Sequence, residues 1–296
     1  MKFNEHFQGL KVNALEDANV IITGIPFDKN TSIGSGAAFA PDHIREMSIM
    51  FPPMTQFGYM LDKIKLFDNG NITTEDFEKM QEEAYKAISS NKFPVFLGGD
   101  HSVAIATERA FYDYAKSLGK IPTIIHIDAH PDICDVYEDN YYSHATPNKR
   151  SLDYGYEDQN LTMIGMRCFE PQEVKFLNMH SDIDCFTAHD VRRLGVSKLI
   201  ELLKLKYNDN NLIYLSYDID ANDPAYAPGT GTPEPWGLTS FETLDLITGI
   251  VSEFNIGCFD IVEVSPKLDV NDITSSLAIK TLYEVLGIVQ KRRFIK

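Results

Sequence analysis

Cysteine is scarce in this chain of 296 residues: Cys134, Cys168, Cys185 and Cys258 stand far apart, with no Cys-x-x-Cys pair. That spacing excludes a dense disulfide framework and fits free thiols in a reducing compartment. No apolar run approaches the roughly 18 residues that span a membrane. The N-terminal Met1-Lys-Phe-Asn-Glu-His6 carries no apolar leader. Together these absences make a cytoplasmic location the expectation and a membrane partner unexpected. Positive charge is also in deficit, with 27 Lys and Arg against 43 Asp and Glu, a formal net charge of −16 with His neutral. A surface of that sign repels a phosphate backbone, which argues against nucleic acid as a partner. The same field favours a small cation. No linker, repeat or low-complexity stretch divides the chain, so a single domain over residues 1–296 is expected.

What is present is a regular alternation of short apolar runs with helical patterns. Val20–Ile25, Val95–Leu97, Ile124–Asp128, Leu161–Gly165, Asp184–Thr187, Leu212–Asp220 and Cys258–Val264 read as strands. Glu75–Ser89, the stretch from Ser102, Val196–Leu205, Ser240–Phe254 and Ser275–Lys291 read as helices. Such alternation implies an α/β fold with a mainly parallel sheet and helices on both faces. Two long loops interrupt it, Ile133–Lys149 and the Pro- and Gly-rich Ala221–Leu238. Long loops on a rigid sheet are where specificity tends to reside.

Three of the apolar runs end in potential metal ligands. His101 follows Phe93-Pro-Val-Phe-Leu-Gly-Gly-Asp100; Asp128, His130 and Asp132 close Ile124-Ile-His-Ile-Asp-Ala-His-Pro-Asp132; Asp218 and Asp220 close Leu212-Ile-Tyr-Leu-Ser-Tyr-Asp-Ile-Asp220. In a parallel sheet, ligands bind beyond the carboxyl ends of the strands. Asp218 and Asp220, two apart, are expected to point the same way in extended chain. A lone Asp-x-Asp is ordinarily a loop or a cap, and a lone strand-end His a core residue. Four carboxylates at one sheet edge are different, because without a cation they repel one another. Two imidazoles and four carboxylates exceed the needs of one ion and suit a pair of divalent ions such as Mn²⁺ sharing a water. The chemistry indicated is metal-assisted hydrolysis. His126 lies inside its strand and is expected in the core or beside a ligand.

At these residues the chain resembles the ureohydrolases, the arginase and agmatinase family. The motifs are Gly98-Gly-Asp-His-Ser102, Asp128-Ala-His-Pro-Asp132 and Ser216-Tyr-Asp-Ile-Asp220, and the likeness runs from about Ile22 to the C-terminal helix. Asp223-Pro-Ala-Tyr-Ala-Pro-Gly-Thr-Gly-Thr-Pro-Glu234, Ser143-His-Ala-Thr-Pro147 and Gly24-Ile-Pro-Phe-Asp28 are more similar to agmatinases than to arginases. The resemblance implies a three-layer α/β/α sandwich and two Mn²⁺ ions per subunit. One ion would take His101, Asp128, Asp132 and Asp218, the other Asp128, His130, Asp218 and Asp220. The substrate would be a small cationic guanidine, cleaved to urea and an amine, and the assembly a trimer or hexamer. Glu263 matches the family's guanidinium-binding Glu, where its carboxylate fork fits planar donors. Asp132 would take the proton from the nucleophile. His144 matches a loop His expected to contact substrate or pass a proton to the leaving amine.

The chain also departs from the family. Cys134 stands where arginases read the α-amino acid end of the substrate with an Asn, and it offers little hydrogen bonding. This favours agmatine, with guanidinobutyrate and arginine as alternatives. Ala38 replaces an Arg of the Gly36-Ala-Ala-Phe-Ala-Pro41 loop, and Trp236, the only Trp, stands where a Gly is common. Trp236 reads equally as a residue at the mouth of the site or as packing. Two other classes are a metal-dependent phosphoesterase, which gives the Gly229-Thr-Gly-Thr-Pro233 loop and Glu263 no obvious role, and a catalytically silent binding protein, against which the complete ligand set speaks.

Overall fold

In a computed structural model, which describes residues 5–295, one eight-stranded sheet organises the chain. The reading of the extreme N-terminus as leaderless falls partly on Met1–Asn4, outside the described residues. The strands are β1 (Val20–Gly24), β2 (Leu66–Asn71), β3 (Phe93–Leu97), β4 (Ile121–Ile127), β5 (Leu161–Met166), β6 (Asp184–Thr187), β7 (Asn211–Asp218) and β8 (Ile256–Val262). Their order is β2-β1-β3-β8-β7-β4-β5-β6, and every pairing is parallel. The helices are α1 (Ala40–Met47), α2 (Phe77–Ile88), α3 (Ala104–Ser117), α4 (Pro147–Tyr154), α5 (Pro171–Met179), α6 (Ala188–Leu194), α7 (Val196–Lys206), α8 (Ser240–Glu253) and α9 (Ile273–Val289).

Strand alternation divides the apolar side chains between two cores. Ile22, Leu97, Ile125, Leu215 and Ile261 face one layer, where they meet Ile44 of α1, Leu199 of α7, Leu246 of α8 and Leu282 of α9. Ile21, Phe96, Ile124, Tyr214 and Cys258 face the other, against Met80 of α2 and Phe111 of α3. Both faces of the central strands are therefore covered, which is why these strands read as unbroken apolar runs. The result is the three-layer α/β/α arrangement. Among the described residues, no helix is long and apolar enough to cross a membrane.

The structure adds elements that the sequence pattern does not mark. β2, Leu-Phe-Asp-Asn-Gly-Asn, has the composition of a turn, yet it pairs with β1 at the sheet edge. Its polar residues find a partner in the buried Arg45 of α1. That guanidinium donates to both Asp68 oxygens, to Asn71 Oδ1 at 2.7 Å and to the Gly70 carbonyl at 2.9 Å. The short helices α4, α5 and α6 are also unmarked, because they offer too few turns for a clear apolar period. α4 begins at Pro147, inside the stretch expected to be loop. α8 shows the opposite case: Thr239 and Glu242 form a reciprocal cap, so its start was legible locally.

Candidate metal centre

The four central strands, β3, β8, β7 and β4, deliver the site at their carboxyl ends. After β3 the chain turns through Gly98-Gly99, and a Cβ on Gly99 would lie 1.8 Å from the Phe27 carbonyl oxygen. Only glycine permits that approach. It lets Asp100 donate its N–H to the same carbonyl at 2.7 Å and sets His101 at the start of a 3-10 turn leading into α3. After β4, Asp128, His130 and Asp132 lie on a loop pinned by α4: Asn148 donates to the Asp132 carbonyl at 3.0 Å and to the Pro131 carbonyl at 2.8 Å.

Asp218 and Asp220 do not share a face of an extended strand, since β7 ends at Asp218 and Ile219–Ala221 form a 3-10 turn. Asp218 caps that turn, accepting the Asp220 N–H at 2.8 Å. The short Asp side chain bonds its own backbone two residues on, and this local bond wins over the extended pleat. The turn still brings both carboxylates to the sheet edge.

Nδ1 of His101 lies 3.0 Å from Asp128 Oδ2, 3.1 Å from Asp132 Oδ2 and 3.1 Å from Asp218 Oδ2. Nδ1 of His130 lies 3.4 Å from Asp128 Oδ1 and 3.2 Å from Asp220 Oδ2. The two oxygens of Asp128 thus face different groups. Asp218 puts Oδ2 toward the first group, while its Oδ1 takes the Asp220 N–H. His126 is buried, with Nε2 3.0 Å from Asp128 Oδ2 and 3.1 Å from the His130 carbonyl, so it supports the Asp128 loop.

This donor set fits a cation. Ligands at right angles around an ion with bonds of about 2.1 Å stand about 3 Å apart, which is the spacing around His101. His101 Nδ1 and Asp128 Oδ2 are buried and make no hydrogen bond. Burial, with Asp220 and Asp128 alongside, pushes the Asp218 carboxyl well above the usual range. Burial pulls the His101 imidazole down, but its three carboxylate neighbours outweigh this and raise it well above its ordinary value. Oxygen-rich donors with imidazole suit hard or borderline divalent ions. His101 is oriented from behind: Nε2 meets Ser216 Oγ at 3.1 Å, and that hydroxyl donates to Asp260 at 2.9 Å.

Glu263 lies one residue past β8 in left-handed backbone, at φ 61°. Its side chain is buried rather than turned to solvent. His144 reaches it across the cavity, Nδ1 to Oε1 3.4 Å, and holds Ser32 Oγ at 3.1 Å. Burial lowers the His144 pKa, but Glu263 outweighs it and raises it to about 9. A cavity of about 310 Å³ opens over Asp132, His144, Asp218, Asp220 and Glu263. Its walls include Tyr137, Glu170 and Glu234, and no Lys or Arg among the described residues lines it. Cys134 is buried with its thiol toward Glu173 and does not line the cavity, so the substrate end is not read there. Trp236 is 83% exposed, which argues against packing, and it does not line the cavity, which argues against a place at the mouth of the site.

The sequence reading missed Arg167, just past β5. Its guanidinium donates to the carbonyls of Gly165, Asp220, Ala221, Asn222, Glu234 and Pro235, at 2.7 Å for Asp220 and 2.8 Å for Glu234. It ties the Pro- and Gly-rich loop to the turn that carries Asp220. The only local signal was a cation at a strand end in an acidic chain.

Fold and site together define a metal-binding hydrolase. The chain belongs to the arginase family, whose sequence model matches residues 18–287. It is 32% identical to an agmatinase of Bacillus anthracis, over 97% of this chain and 98% of the relative. It is 31% identical to a guanidinobutyrase of Pseudomonas aeruginosa, over 93% of this chain and 88% of the relative. Its structure is similar to that of an agmatine ureohydrolase of Thermoplasma volcanium, with a TM-score of 0.86 and 31% identity, covering 99% of this chain and 97% of that one.

Proposed function

We propose that this chain, as one domain over residues 1–296, hydrolyses agmatine to putrescine and urea with two Mn²⁺ ions. His101, Asp128, Asp132 and Asp218 would hold one ion, and Asp128, His130, Asp218 and Asp220 the other. When bound, such a pair supplies a nucleophilic water at neutral pH. Glu263 bonds the guanidinium through its carboxylate fork and keeps the carbon over the metal ligands. Asp132 takes the proton released as the new C–O bond forms. His144 delivers a proton to the leaving nitrogen as the C–N bond breaks. The reading includes a cytoplasmic setting and assembly into trimers or hexamers.

The observation that carries the substrate choice is the cavity wall. A carboxylate at the far end of arginine or guanidinobutyrate would enter a cavity that holds Glu170 and Glu234 and, among the described residues, no Lys or Arg. An unpaired buried charge is costly there, whereas a distal ammonium is welcome. The test is urea release by Mn²⁺-loaded protein given agmatine, arginine and guanidinobutyrate in parallel, with metal content measured. Release from agmatine alone supports the reading. Release from guanidinobutyrate alone moves the substrate, and release from none at two ions per chain overturns the reaction.

A further inference from the structure

Beside the centre already described, a third donor set stands in the same cavity. His130, Cys168 and Glu234 each present one ligand atom, and these lie within 4.8 Å of one another. All three side chains are half-buried and line the cavity. Cys168 differs from the other cavity donors in being soft. Its thiol lies within 4.8 Å of a His130 ring nitrogen, and its backbone N–H is fixed to the Ala129 carbonyl at 3.1 Å. Glu234 is anchored by its carbonyl to the Arg167 guanidinium at 2.8 Å. The two flanking donors are therefore placed by neighbouring backbone and Arg167, without help from an ion.

We propose that His130, Cys168 and Glu234 form a separate thiophilic metal site that takes Zn²⁺ and, when filled, draws His130 away from Asp128 and Asp220. One thiolate, one imidazole and one carboxylate with an open fourth position is a donor set suited to tetrahedral zinc. The thiol gives its proton to solvent as the Zn–S bond forms, and a cavity water completes the shell. Soft thiolate selects Zn²⁺ over Mn²⁺, which the oxygen-rich set retains. His130 belongs to both sets, so Zn²⁺ weakens the hard-metal pair at its Asp128 and Asp220 side. It also adds positive charge where a cationic substrate must sit. Zn²⁺ would thus act as an inhibitor through Cys168 and Glu234, which the Mn²⁺ set does not use, together with the shared His130.

The spectroscopic test uses Co²⁺ as the probe and needs no turnover. Adding Co²⁺ to wild-type protein is expected to produce a thiolate-to-cobalt charge-transfer band in the near ultraviolet. The band should vanish in Cys168→Ser, weaken in Glu234→Gln and persist in Cys185→Ser. The second arm rests on the proposed hydrolysis: Zn²⁺ is titrated into Mn²⁺-loaded protein and urea release is read relative to each variant's Mn²⁺-only rate. Half-inhibition should require at least about tenfold more Zn²⁺ in Cys168→Ser than in wild type, the loss of one ligand being worth about 1.4 kcal/mol or more. Absence of the band, its survival in Cys168→Ser, or equal Zn²⁺ sensitivity overturns the inference. A correct band pattern without urea release would uphold the site and sink the substrate reading.

Discussion

Glu263 is clamped to the His101 segment through backbone: its Oε1 accepts the His101 N–H at 2.8 Å, while the Glu263 N–H donates to the Gly99 carbonyl at 2.8 Å. The proposed guanidinium-binding carboxylate and a proposed metal ligand therefore move as one unit, although 162 positions separate them. Substituting Glu263 by Gln preserves the acceptor for that N–H and removes the charge. The expected outcome is unchanged metal content by elemental analysis and a fall in kcat/KM of about 10²–10³-fold, the scale of losing one charge-stabilising group. Full activity in Glu263→Gln would exclude the role.

Ser216 stands between His101 Nε2 and Asp260. Removing the hydroxyl in Ser216→Ala leaves that ring nitrogen without its partner. Losses of this kind cost about 10–100-fold in metal affinity. A competition titration of Mn²⁺ against a chelating dye should show that fall, with turnover recovered at high Mn²⁺. Unaltered affinity would mean that the ring is positioned by packing alone.

His144 gives a pH signature in the metal-free protein. Its folded-state pKa is about 9 against an ordinary 6.5, raised by Glu263 against the effect of burial. A raised pKa means that the His144–Glu263 pair contributes its full stability below pH 6.5 and loses it as the pH climbs through about 9. The Tm gap between wild type and His144→Asn should therefore be constant below pH 6.5 and close over the interval above. A gap that widened with pH would contradict the pairing.

Arg167 holds six carbonyls with one planar fork, a task that the compact ammonium of lysine cannot perform. Arg167→Lys should raise KM about tenfold, because Glu234 and the Asp220 turn lose their common anchor. It should also lower stability by about 1–3 kcal/mol through unpaired carbonyls. Steady-state kinetics and thermal melts read the two effects separately.

Chelation should destabilise the protein reversibly. Asp128, Asp218 and Asp220 are buried together, so an ion that binds only the folded state adds stability. At a thousandfold excess over its Kd the gain is about 4 kcal/mol, roughly 8–16 °C in Tm for a domain of up to 250 residues and somewhat less here. Calorimetry before and after EDTA, with Mn²⁺ returned, measures it. A Tm indifferent to metal would argue against ions at these carboxylates.

Much of this protein is determined by local sequence. The apolar runs of β3, β4 and β7 fix buried strands because only a parallel sheet covered on both faces accommodates them. The ligand types at their ends follow from the same segments, as does the cap that starts α8. Local sequence could not decide which donors meet, because that depends on strand order. The placement of β8 between β3 and β7 is what joins Glu263 to His101 and Asp260 to Ser216. Asp218 and Asp220 reach the expected sheet edge by a different geometry from extended chain, since a capped turn, not the pleat, aims them. β2 was hidden because its pairing with β1 and Arg45 outweighs the turn propensity of Asp68, Asn69 and Gly70. Cys134 and Cys168 show the limit most directly. Neither thiol carries its orientation in the sequence, and only the packing of α5 and the β5 end turned Cys134 toward Glu173 and Cys168 toward the cavity.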